Sequence, residues 1–154
     1  RVAKETSSEI LYLNILSDCE INLKWRPTHL LYFATPNILS EDTRFDSEKL
    51  LELYYNYFIK GFEKIIKRIY SGHQLKVFYP STYYIDEDNK KYQRYSEIKK
   101  QGEELCQSMN RMYSNLNILF PRLPRLKTDL TASLTESNSI EPIPYLSDLY
   151  KSWK

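Results

Sequence analysis

The sequence predicts an α/β domain, a partial doubly wound (Rossmann-like) parallel sheet. Three observations predict it. Short apolar runs rich in branched and aromatic residues recur along the chain. Two long amphipathic segments separate the later ones. The resulting order is strand, strand, helix, strand, helix, strand, the alternation that right-handed crossovers between parallel strands require.

Each element has its own signal. Residues 10–16 (ILYLNIL) form a short apolar run and read as a first strand. Residues 29–34 read as a second, with near-continuous apolarity that implies burial on both faces, and Pro36 ends it. Asp46 and Ser47 are capping types. After them Leu50, Leu51, Tyr54, Tyr55, Phe58, Phe62, Ile65, Ile66 and Ile69 recur at three- and four-residue spacing, which predicts a helix over 47–71. Residues 76–79 read as a third strand stopped by Pro80. Ile98, Gly102, Leu105, Cys106, Met109 and Tyr113 mark a second helix over 93–114. Residues 117–120 give a fourth strand closed by Pro121. A tail over 135–154 carries Pro142 and Pro144, then a short helix from Tyr145 to Trp153.

Composition narrows the function. The 154 residues suffice for one domain with a core. A net charge of +2 gives no electrostatic case for nucleic acid or an anionic membrane. No apolar run approaches the ~20 residues that span a bilayer. Only 3 glycines occur, Gly61, Gly72 and Gly102, so no clustered phosphate-cradling loop exists in this stretch. Cys19 and Cys106 are too far apart for a CxxC motif. Without a signal peptide they read as reduced thiols of a cytoplasmic protein. No His/Cys cluster suggests a metal, and Ser81 lacks the G-x-S-x-G frame of a serine hydrolase. His29 and His73 read as structural or surface residues.

In parallel sheets ligands bind beyond the carboxyl ends of the strands. Ser81 and Thr82 follow the third strand there. Tyr95 and Lys99 lie four apart at the start of the second helix and share one face. A hydroxyl, a phenol and an ammonium around one crevice suit carbonyl reduction. The phenol supplies a proton, the ammonium lowers the phenol's pKa, and the hydroxyl holds the carbonyl oxygen. The alternative is a helix-packing Tyr beside a solvated Lys. Arg122 and Arg125 flank Pro124 near the same end; they suit a phosphate or a carrier-protein surface, or salt bridges that pin the tail. Residues 86–91 read as a solvated loop.

The run YSEIK at 95–99, preceded by Ser81 and Thr82 after a strand, resembles the active-site half of a short-chain dehydrogenase/reductase. HLLYFATP, FYPST, YSEIKKQGEELC and FPRLPRLKTDLTASL together resemble the reductase-type domains fused to hot-dog-fold acyl hydratases and fatty-acid or polyketide assembly proteins. The resemblance covers about residues 11–134. It implies that Tyr95 is the general acid/base and that Lys99 holds the nicotinamide ribose. Thr82 would bind the substrate carbonyl, with Ser81 as fallback. Ala34, Thr35 and Pro36 would pack beside the cofactor, Pro121 would line the nicotinamide, and Asn14 would meet the adenine. The cofactor implied is NAD or NADP, and the substrate a small or carrier-bound acyl compound, such as a 3-oxoacyl thioester.

The departures are Pro36 for a glycine, Asn14 for an acid, and no counterpart of the family's first strand, glycine-rich turn and first helix. Asn56 lies near the family's helix asparagine but out of register. Residues 1–154 are therefore expected to form one incomplete domain. Its strand at 29–34 would need cover from residues 1–25, a second copy, or a fused or partner domain. The alternative function is a non-catalytic scaffold or interaction domain in an acyl-processing protein.

Overall fold

A computed structural model describes residues 8–17, 21, 23–38, 47–87, 90–127 and 140–153. Three parallel strands make the main sheet: β1 (His29–Leu31), β2 (Leu75–Phe78) and, after β3 (Ser81–Thr82) in the chain, β4 (Leu116–Leu119), in the order β1-β2-β4. Pairing is parallel throughout, with His29, Lys76 and Asn117 in one register row and Leu31, Phe78 and Leu119 in another. A second, two-stranded parallel ladder joins β3 (Ser81–Thr82) to β5 (Arg122–Leu123).

The two ladders form one continuous path. The Tyr79 N–H donates to the Leu119 carbonyl (2.8 Å), and the Ser81 N–H donates to the Pro121 carbonyl (2.9 Å). Pro80 and Pro121 have no N–H to give, so they interrupt the ladder without ending it. The prolines that the sequence reads as stops are thus gaps between β2 and β3, and between β4 and β5.

The helix predicted over 47–71 is three segments in line: α1 (Ser47–Tyr55), a π-helical stretch (Asn56–Gly61) and α2 (Phe62–Ile69). Two phenols from the sheet reach the wider stretch. Tyr32 donates to the Tyr57 carbonyl (2.6 Å) and Tyr79 to the Phe58 carbonyl (3.2 Å). Gly61 closes it, because a Cβ there would lie 3.0 Å from the Asn56 carbonyl and from the Tyr32 hydroxyl. The second helix, α3 (Gln93–Met112), packs beside α1 and the π-helical stretch on the same face of the sheet. Its Asn110 amide bonds both backbone groups of Ile118 (2.8 and 3.0 Å), satisfying part of the β4 edge.

The core lies between this helical layer and the sheet. Phe62, Ile66, Leu75, Val77, Tyr79, Cys106 and Met109 are fully enclosed. Cys106 is a free thiol, and Cys19 lies outside the described residues. The opposite face carries α4 (Pro142–Trp153), which starts earlier than Tyr145 because proline is tolerated in a helix's first turn. Trp153 lies 6.1 Å from Phe78, ring to ring. The result is the three-layer arrangement the alternation predicts. No described helix is long and apolar enough to cross a membrane.

One expected strand is corrected. Residues 10–16 form no ladder. Asn14 Oδ1 accepts the Leu16 N–H (3.0 Å) and the Asn14 carbonyl accepts the Ser17 N–H (3.1 Å), so the run bends into a turn. Leu13, Ile15 and Ile21 still pack on the core, whereas Ile10, Leu11 and Tyr12 are exposed. Apolarity there serves packing, not pairing. Among the described residues β1 has a ladder partner on one side only.

Candidate functional site

The carboxyl ends of the strands gather the residues singled out above. Ser81 and Thr82 leave the sheet in β3, and Tyr95 and Lys99 face them from the first turns of α3. All four side chains are enclosed, with 3–8% of their surface exposed.

Tyr95 sits in an aromatic pocket between the helices. The rings of Tyr54 and Phe58 each lie 5.7 Å away, edge to face, and Tyr84 lies 6.5 Å away. Burial pushes the phenol well above its ordinary value; a side-chain hydrogen bond from Thr82 works against this, and Tyr54 and Tyr84 add to it. Thr82 also accepts the Tyr84 N–H (3.4 Å), capping the single 3₁₀ turn Tyr83–Ile85. Through Tyr84, whose N–H bonds Thr82 and whose ring meets Tyr95, the turn borders both side chains.

Lys99 takes a different course. Its ammonium donates to the Pro80 carbonyl and lies over the rings of Phe58 (4.3 Å) and Tyr79 (4.5 Å). Burial pulls it down to about 7, against smaller raising effects from Cys106 and Glu103. Lys99 is thus not the solvated lysine of the alternative reading. The expected depression of the Tyr95 phenol is replaced by elevation through burial.

Ser81 is committed elsewhere. Its hydroxyl donates to Glu103 Oε1 (2.5 Å). Arg122 grips the same carboxylate with Nε (2.9 Å to Oε1) and Nη2 (2.7 Å to Oε2). Its remaining amine meets Asp86. Burial raises Glu103, but the hydrogen bonds from Arg122 and Ser81 outweigh it and hold the carboxyl below the usual range. Arg122 is thus an ion-pair residue. Glu103 lies in the run YSEIKKQGEELC, where no local pattern gives it a role. Its partners Ser81 and Arg122 are 22 and 19 residues away, a separation that no local spacing rule reaches.

Of the remaining candidates, Pro121 borders the cluster, and the others are placed by their own local contacts. Asn14 is exposed and engaged in its own turn. Ala34 is half-buried against the core, the Thr35 hydroxyl donates to the Pro36 carbonyl (3.0 Å), and Pro36 is buried. Pro121 contributes its carbonyl to Ser81. His73 bonds the Pro27 carbonyl (2.8 Å), a structural contact.

No family model and no curated protein matches the sequence. Solved structures do match the fold. A short-chain dehydrogenase from Salmonella enterica serovar Typhi superposes with a TM-score of 0.73 at 11% identity, covering 97% of this chain and 70% of that one. A short-chain dehydrogenase/reductase from Vibrio parahaemolyticus gives 0.55 at 16% identity, covering 67% and 51%. A gluconate 5-dehydrogenase from Burkholderia cenocepacia, solved with NADP and tartrate, gives 0.57 at 14% identity, covering 71% and 45%. The chain therefore has the fold of the short-chain dehydrogenase/reductases. It corresponds to about half the length of the Vibrio protein.

That fold raises the question of a nicotinamide nucleotide. A nucleotide needs donors that face it. Here the Lys99 ammonium is bound to a backbone carbonyl under two aromatic rings, and Ser81 is bound to Glu103. The Tyr95 phenol is enclosed with Thr82. In this closed arrangement Lys99, Ser81 and Tyr95 present no donor to a nucleotide.

Proposed function

We propose that this chain is a reductase-type domain that works as a non-catalytic scaffold or interaction domain. The observation that carries the reading is the closure of its polar cluster. Tyr95, Lys99, Thr82 and Ser81 are each nearly fully buried, and each is engaged by a neighbour within the chain. Buried polar groups with internal partners hold a fold together; catalytic ones must face substrate. The open sides of the domain support an interaction role. Between α4 and the sheet runs an apolar groove of about 380 Å³, along which Leu31, Phe33 and Ile143 are more than half exposed. A second copy or a fused acyl-processing domain is the partner we assign to the β1 edge. Isothermal calorimetry tests the reading. It predicts no heat from NADH or NADPH, with any Kd weaker than about 1 mM. Micromolar binding of either nucleotide overturns it.

The placing of Tyr95, Lys99 and Thr82 at one end of the sheet favours a second reading, NAD- or NADP-dependent reduction of a carbonyl, such as a 3-oxoacyl thioester, within a longer polypeptide. Tyr95 would then be the proton donor. In a reductase assay of such a polypeptide, Tyr95→Phe would lower kcat by about two to four orders of magnitude. Undiminished turnover would remove Tyr95 from the chemistry.

A further inference from the structure

A short turn covers the closed cluster. The turn over 83–86 contains the 3₁₀ helix Tyr83–Ile85, none of whose residues is fully buried. It stands at the carboxyl end of β3, directly over the start of α3. Tyr84 stacks on Tyr92 (4.5 Å, 28° between planes) and meets the edge of Tyr95. The Ser96 hydroxyl donates to the Tyr84 carbonyl (3.1 Å). Arg122 ties the far end through Asp86.

The two arms of Arg122 differ in kind. The inner arm meets Glu103, whose side chain is 8% exposed, through two hydrogen bonds. The outer arm meets Asp86, whose side chain is 61% exposed, through one amine. Breaking a buried pair strands a charge, whereas an exposed pair is weak and screened by salt. Arg122 is therefore anchored on one side and releasable on the other.

We propose that the turn over 83–86 is a lid on the buried Tyr95 and Thr82, latched shut by the outer arm of Arg122. Release of Asp86 lets the turn lift about β3. The Tyr84 ring then leaves Tyr95, and the two hydroxyls open toward solvent at the carboxyl ends of the strands. The inner arm keeps Ser81 and β5 in place during this motion. The lid goes beyond the scaffold reading and does not depend on it.

Hydrogen exchange resolved to single amides tests the latch. Asp86→Asn keeps the shape of the side chain and removes its charge. It is expected to speed exchange at the Tyr84 and Asp86 amides about two- to fivefold, with the amides of α3 between Ile98 and Met109 unchanged. Molar salt should do the same to the unaltered protein. Asp148→Asn breaks a comparably exposed pair with Lys151 on α4 and should leave the turn unchanged. Unchanged exchange at Tyr84 and Asp86 in Asp86→Asn overturns the latch. So does an equal rise across α3, which would mean general loosening. Either failure leaves the nucleotide-binding result untouched.

Discussion

Gly102→Ala is expected to destabilise the domain by about 3 kcal/mol, although alanine is ordinarily the better helix residue by about 1 kcal/mol. Gly102 lies inside α3 where the Tyr79 ring crosses it. An added Cβ would stand 2.1 Å from the Tyr79 hydroxyl and 2.8 Å from its Cζ. The ring has no room to retreat. It is fully buried, 4.7 Å from Phe62 and 6.3 Å from Tyr32, centroid to centroid. Overpacking of this kind costs about 1–3 kcal/mol. Displacing the phenol also leaves the Phe58 carbonyl without its donor, about 1–3 kcal/mol more. Urea denaturation reads the loss. Adding Tyr79→Phe to Gly102→Ala should recover part of it, because the clashing oxygen is gone. No loss in the single variant would show that α3 and Tyr79 do not meet as described.

Lys99→Met is expected to stabilise the domain by about 2 kcal/mol at pH 6.5 and to lose that advantage by pH 9–10. Burial takes the ammonium from 10.5 to about 7. Such a displacement corresponds to roughly 5 kcal/mol of preference for the neutral amine. Below pH 7 the amine is protonated in folded and unfolded chains alike, and the burial cost is paid in full. Between about 7 and about 10.4 the unfolded chain holds a proton that the folded one lacks, so stability rises with pH across that window. Methionine removes the charge and keeps the length, but it leaves the Pro80 carbonyl without a donor, at about 1–3 kcal/mol. The net gain at low pH is thus smaller than the burial cost, and its sign reverses once the amine is neutral. Cys106 and Glu103 face the same amine and remain in both proteins, so the difference between the two isolates Lys99. A difference that does not change with pH, or a less stable variant at pH 6.5, would contradict this account.

The main sheet and its helices are legible because their signals are local. Apolar runs around Leu30, Val77 and Ile118 and the three-four spacing from Leu50 to Ile69 survive in the structure. What is not local is not legible. Residues 10–16 have a strand's composition, yet Asn14 bends them. The π-helical stretch continues the three-four apolar spacing of an ordinary helix and is met by Tyr32 and Tyr79, 25 and 21 residues away from the carbonyls they bond. The ladder through Ser81 and Arg122 resumes past two prolines that signal a stop.

The candidate site divides the same way. Its spacing places Tyr95, Lys99 and Thr82 at one end of the sheet. Its closure does not show in the sequence, because a lysine reads as solvated until Phe58, Tyr79 and Pro80 are found around it. The carboxylate that commits Ser81 and Arg122 is likewise visible only in three dimensions.

The closed cluster is tested most directly by an NMR titration of the Lys99 side-chain amine, followed with and without millimolar NADPH. A closed, structural cluster predicts a midpoint near 7 that NADPH does not move. A midpoint near 10, or one displaced by the nucleotide, would mean that Lys99 faces an open site and would contradict the closed cluster.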